Sequence, residues 1–275
     1  MSVASGAEAK AETAGAAESA PRRKKILVKD KREIIQKLRA HNEEHDKKAK
    51  ASGLEWRTVC ATVLHRYPVI TPEPEPWEVA YSKMDEELTE FKRAWMLKQI
   101  TGTDADFIGE ANPTYEEIIA TLPFKPASRI TEADKANDMR STERRLSESS
   151  FLIVKRNREQ NAWQFPQGKL LPEKDGESLR KGAERVIDRA VGNVNRWFIS
   201  NAPIGHICYA YPPEMQKARG NYGAKVYFYR CQLIAGTVKL ETRLYTDYAW
   251  VARDEVAKYT EDPLTAEFLT AVLPY

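Results

Sequence analysis

Between Trp163 and Gly192 the chain reads WQFPQGKLLPEKDGESLRKGAERVIDRAVG, an extended lead-in followed by a helix with its charges at set intervals. Trp163-Gln164-Phe165-Pro166-Gln167-Gly168 forms the lead-in, and Gly176-Glu177-Ser178 opens the helix. Arg185 comes eight positions after Glu177, and Gly192 seven after Arg185. On such a helix, glutamates one, four and five positions after the arginine would share a face. That face could hold Mg²⁺ against a pyrophosphate, because Mg²⁺ takes hard oxygen ligands together with substrate phosphates. The residues at those three positions are Val186, Arg189 and Ala190. They supply no ligand for a cation. The frame of a phosphate–metal motif is present and its ligands are missing.

The pattern resembles the Nudix motif, G-x5-E-x7-R-E-U-x-E-E-x-G-U with U a bulky apolar residue. Its positions fall on Gly168, Glu177, Arg185, Val186, Arg189, Ala190 and Gly192. The interval from Gly168 to Glu177 is three residues longer than the motif allows. Nearby acids are poorly placed to substitute: Glu184 lies roughly 200° around the helix from Val186, and Asp188 roughly 100° from Arg189. Glu184, Arg185, Asp188 and Arg189 read instead as a mixed-charge solvated face, with Arg185 able to pair with Asp188 or Glu184. No catalytic residue, metal or cofactor is expected. Two other readings stay open. One is an active hydrolase of nucleoside diphosphate derivatives that uses Glu177 and other ligands. The other is a metal-independent nucleotide binder in which Arg185 and Arg189 grip a diphosphate directly.

At 275 residues the chain can hold one α/β domain plus extensions. A net charge of +3 excludes a uniformly basic nucleic-acid coat, but the charge is uneven. Residues 21–50 carry twelve Lys/Arg against five Asp/Glu. That basic arm suits sequence-independent contact with RNA phosphates, led by Arg22, Arg23, Lys24 and Lys25. It reads equally as a solvated helix with a frayed start. Cys60, Cys208 and Cys231 are widely separated in apolar runs and read as buried free thiols, as in a reducing compartment. His41 and His45 stand four apart among Glu43, Glu44 and Asp46, which suggests an exposed helix and no ligand pair. No segment approaches the ~20 apolar residues that span a bilayer. The first twenty residues, rich in Ala, Ser and Gly, read as a disordered tail that neither supports nor excludes import.

The fold class expected is α/β, a Nudix-like mixed sheet between helices with a basic helical N-terminal extension and a helical insertion. Residues 1–50 are the tail and basic helix, and 51–71 hold the domain's first strand, Trp56–His65. Residues 72–128 are linker and insertion, and 129–275 complete the domain. The insertion opens with the stiff Thr71-Pro72-Glu73-Pro74-Glu75-Pro76 and continues as a helix over Glu78–Ile100. Met84, Leu88, Phe91 and Trp95, with Met96 beside them, make a packing stripe there, against either the chain's own domain or a neighbour. An irregular stretch to residue 128 follows, with a helical turn near Tyr115–Leu122. Thr131 is a plausible N-cap paired with Asp134. Strands are expected at Phe151–Lys155, Trp163–Phe165, Ile204–Tyr211, Lys225–Leu233 and Ala249–Val251, and helices at Glu177–Val191 and Pro263–Val272. His206, Tyr227 and Trp250 read as core or interface positions.

Five further strings resemble one family in the right order. They are Ala127–Asp134 with Asn137-Asp138, Asn201-Ala202-Pro203 with Gly205-His206, Gly223–Phe228, Tyr248-Ala249-Trp250-Val251, and Asp254-Glu255. The family is that of the Nudix-like proteins of the mitochondrial large ribosomal subunit. The likeness covers Trp56–His65 and nearly everything after Ala127; residues 72–126 match only in general character and the first fifty not at all. The resemblance implies a structural protein of the mitochondrial matrix without catalytic activity. It also implies large-subunit ribosomal proteins near the central protuberance as partners, with rRNA phosphate contacts as a further expectation.

Overall fold

A computed structural model describes residues 28–101, 120–124, 127–159, 161–171 and 176–274. Its centre is β1 (Glu55–Arg66), a long strand whose run of Val, Cys, Ala, Thr and Leu suits a pleated surface buried on both sides. One edge of β1 pairs in parallel with β7 (Asn221–Ala235), from Glu55 opposite Asn221 to His65 opposite Gln232. The other edge is shared by β4 (Gln167–Lys169) and β2 (Ser150–Lys155), both antiparallel to it. Beyond β2 lie β8 (Asp247–Ala252) and the short β3 (Trp163–Gln164). Beyond β7 lie β5 (Asn195–Phe198) and β6 (Gly205–Ala210). The strands form one mixed sheet.

Alternation along β1 sets the layers, since successive side chains point to opposite faces. Val59, Ala61 and Val63 join one core with Phe151, Val226 and Phe228 of the sheet. That core is covered by Leu38 of α1 (Val28–Ser52) and by Phe268 and Leu269 of α7 (Pro263–Val272). Cys60 and Leu64 join the opposite core with Leu152, Val154, Tyr229 and Trp250. That one is covered by Ala183, Ile187, Ala190 and Val191 of α4 (Leu179–Val191). The class is therefore α/β, a mixed sheet between helices, and β1 belongs to the sheet although the long helix α2 (Pro76–Thr101) separates it from β2. Fully burying a side chain such as Ile187 or Val191 contributes about 1.5–3 kcal/mol. The α4 face is thus a principal source of stability on its side.

Thr131 caps α3 (Glu132–Ala136) in a capping box with Asp134, as the sequence predicts. The motif helix begins at Leu179 with Ser178 as its cap, not at Glu177. Four elements were not foreseen: β4, β5, α5 (Pro213–Arg219) and α6 (Val256–Tyr259). The three cysteines are free and buried. Trp250 is buried, while His206 and Tyr227 lie directly opposite across β6 and β7 with their rings 5.4 Å apart. Among the described residues no helix is long and apolar enough to cross a membrane.

One expectation is overturned. His41 and His45 do not lie on an exposed helix face; with Leu38, Asn42 and Ala49 they form the face of α1 turned toward the sheet. His41 Nε2 donates to the Cys208 carbonyl (3.0 Å), and His45 Nδ1 lies 3.4 Å from the Tyr222 hydroxyl. Glu43, Glu44, Lys47 and Lys48 take the solvent side. Asn42 is the centre of this contact. Its Oδ1 accepts from Cys208 N–H (3.0 Å) and its Nδ2 donates to the His206 carbonyl (3.3 Å). These are backbone groups of β6 on the edge away from β7, so the amide completes a ladder that has no next strand among the described residues. Covering an open edge in this way protects it from pairing with another chain. Asn42→Ala leaves a buried N–H without its partner and is expected to lower stability by about 1–3 kcal/mol in a urea titration. Hydrogen exchange should accelerate at Cys208 more than at Val226.

Candidate functional site

The motif residues occupy the loop before α4 and the helix itself. Gly168, on β4, faces α4 closely: a side chain there would meet Val186 Cγ2 at 2.8 Å. Val186 is 5% exposed and Ala190 fully buried, so two of the three positions where acids would bind metal are packing positions. Arg189 is exposed. Gly192 ends the helix with φ 74°, and the incoming backbone satisfies the helix C-terminus through Lys239 N–H to the Val191 carbonyl and Glu241 N–H to the Ala190 carbonyl. Among the described residues no group of three or more His, Cys, Asp and Glu side chains gathers as a metal-binding set.

Arg185 does not pair with Asp188 or Glu184. Its Nε donates to Glu177 Oε1 at 2.7 Å, its Nη2 to Oε2 at 3.0 Å, and Nη2 also reaches the Lys169 carbonyl at 2.8 Å. Glu177 further accepts from Leu171 N–H at 2.9 Å. Glu184 is taken by Arg180 (2.9 Å) and Asp188 by Arg196 (2.6 Å). Glu184 and Arg185 are half-buried, so of the four charged groups only Asp188 and Arg189 make a solvated face. The Arg185 hydrogen bonds hold the Glu177 carboxyl below its usual range, and Glu177 in turn raises the Arg185 guanidinium. This fork–fork contact staples β4, the following loop and α4 together. Its groups are occupied by each other, which leaves Arg185 poorly placed to grip a diphosphate.

A second concavity lies on the other side of the sheet. A cavity of about 290 Å³ opens beside the lead-in, lined by Trp163, Phe165, Tyr209, Phe228 and Tyr259 with Arg158 at its rim. It is not legible in the sequence, because its walls come from five separated segments. Arg22, Arg23, Lys24 and Lys25, the residues nominated for RNA, lie outside the described residues. So do residues 172–175 of the lengthened loop and most of the stretch where a turn was expected at Tyr115–Leu122.

Sheet, cover helices and emptied acid positions together define an α/β-sandwich protein whose motif helix packs. A family profile described as 39S mitochondrial ribosomal protein L46 matches residues 56–134, running through the segment where the sequence alone shows only a general likeness. The Bos taurus protein named large ribosomal subunit protein mL46 is 28% identical over 236 residues, covering 78% of this chain and 83% of its own. The Neurospora crassa protein of that name is 29% identical over 142 residues, covering 48% of this chain and 37% of its own. Among solved structures, a C. elegans Ap4A hydrolase in a binary complex aligns with a TM-score of 0.37 at 14% identity, over 46% of this chain and 84% of that one. The chain is thus similar in sequence to proteins named mL46 along most of its length.

Two substitutions separate packing from chemistry here. Val186→Glu puts an unpaired carboxylate against Gly168 and is expected to cost about 3–5 kcal/mol in chemical denaturation. Glu177→Gln is expected to cost about 1–3 kcal/mol at neutral pH. Because folding lowers the Glu177 pKa, its contribution is present above the unfolded value of about 4.3 and disappears as pH falls through the folded one. The stability difference between wild type and Glu177→Gln should therefore shrink on acidification below about pH 4.3.

Proposed function

We propose that this chain is a structural constituent of the mitochondrial large ribosomal subunit, a Nudix-like domain used for assembly contacts and without hydrolase activity. The observation that carries this reading is the burial of Val186 and Ala190 where metal-binding acids would stand. The relatives named as large ribosomal subunit proteins, matched over 78% of this chain, support it from a different direction. The site is the mitochondrial matrix and the partners are large-subunit proteins beside the central protuberance. Arg22, Arg23, Lys24 and Lys25 supply phosphate contacts to rRNA, which fix position without reading sequence. The chain divides into 1–50, 51–71, 72–128 and 129–275, with the third segment inserted into the domain formed by the second and fourth.

Sedimentation of the tagged chain from gently lysed mitochondria tests this directly. Co-migration with the large subunit is expected at low salt and, because protein contacts dominate, at high salt also. If the basic residues neutralise rRNA phosphates, replacing all four by glutamine weakens retention most at low salt and flattens its salt dependence, because the lost contacts are the salt-sensitive ones. A slow-sedimenting pool free of RNA at low salt would overturn the ribosomal reading.

A further inference from the structure

The helix α2 leaves a long apolar stripe uncovered. Trp77, Tyr81, Met84, Leu88, Phe91 and Trp95 are between 45% and 69% exposed, and none of them enters either core. Their intervals are four, three, four, three and four residues. At 3.6 residues per turn the six fall within about 80° of arc. An alternation of four and three sustained over this length is the spacing by which one helix packs along another. A contiguous exposed patch of this kind marks an interaction surface, and tryptophan and tyrosine are the residues that anchor such surfaces.

The residues flanking the seam say more about the occupant. Glu78, Asp85 and Glu87 border its first two-thirds, and Lys92 its last third. A second copy of this chain fits poorly. Paired in parallel, two copies would set Glu78, Asp85 and Glu87 level with their own counterparts along the borders of the seam. Like charges so placed oppose association. Four of the six seam positions are also aromatic, and two such rows meeting each other would be overfilled, whereas small side chains opposite them would interdigitate.

We infer that α2 is a docking helix for an amphipathic helix of another protein of the large subunit, one with small or aliphatic seam residues and Lys/Arg flanking the half that meets Asp85 and Glu87. The inference rests on the ribosomal reading above and specifies the partner that reading leaves open.

The test uses the full chain assembled into the subunit. Photoactivatable benzoylphenylalanine placed at Met84 or Phe91, and as a control at Lys83 or Glu86 on the opposite side, is irradiated in purified subunits and the adducts sequenced by mass spectrometry. The expected result is one adduct peptide from both seam positions and none from the controls. That peptide should carry apolar residues at three- and four-residue intervals with flanking Lys/Arg. Adducts to rRNA, to a second copy, to another segment of this chain, or to a peptide lacking that pattern would overturn the inference. In parallel, Leu88→Glu with Phe91→Glu should weaken retention by roughly thirty-fold or more. Circular dichroism of the purified variant should be unchanged, since neither residue supports a core. A wild-type chain that fails to enter the subunit overturns the ribosomal reading; a wild-type chain that enters, with the double variant entering equally, overturns this inference alone.

Discussion

The parallel pairing of β1 with β7 is the contact on which the rest of the structure depends. It runs from one end of β1 to the other and joins segments more than 150 residues apart in sequence. Every other layer is referred to it. β2 and β4 divide the opposite edge of β1, β5 and β6 divide the free edge of β7, and both cover layers rest on the alternating side chains of these two strands. Even the polar ties converge there. Thr62, fully buried on β1, accepts a place in the α4 core only because its hydroxyl donates to the Ala183 carbonyl at 2.8 Å.

Against that frame the motif helix has one structural task, which is to cover the β1–β7 face. A helix that binds a divalent cation must keep acids beside the metal and therefore near solvent or substrate. Val186 and Ala190 instead extend the apolar face of α4 into those positions, and the Glu177–Arg185 pair fixes the preceding loop. The mutual hydrogen bonds of that pair satisfy charges that a ligand would otherwise have to satisfy. A fold and its chemistry are separable, and here the packing demands of the fold are met by apolar residues at the positions where acids would hold a metal. The exposed apolar surface proposed for a partner lies elsewhere, on α2.

Long, strongly patterned elements were legible in the sequence. β1, β2, β7, β8, α4 and α7 each combine regular apolar spacing with a clear stop, and the Thr131–Asp134 cap could be read from two residues. The missed elements are short or weakly patterned. Gln167–Lys169 contains no apolar residue and is a strand only because β1 offers it an edge, and Trp197 of β5 faces solvent. The histidines of α1 were misread because the flanking acids drew attention to solvent. Leu38, Asn42, His45 and Ala49, three to four residues apart, held the better signal. The Glu177–Arg185 contact crosses a helix start, where spacing rules for side chains on one helix do not reach. That Val186, Arg189 and Ala190 stand at the motif's acid positions, by contrast, is legible directly, since it concerns residue types and not their placement.

The central claim is that the motif helix now serves packing alone, and turnover and ligand stabilisation measured together on the purified chain test it most directly. The chain is incubated with Mg²⁺ or Mn²⁺ and a panel of dinucleotides and nucleoside triphosphates, with hydrolysis and unfolding temperature followed in the same samples. The account predicts no metal-dependent turnover and an unfolding temperature unmoved by any nucleotide. Metal-dependent hydrolysis that disappears in Glu177→Gln, in protein shown to be folded, would contradict it.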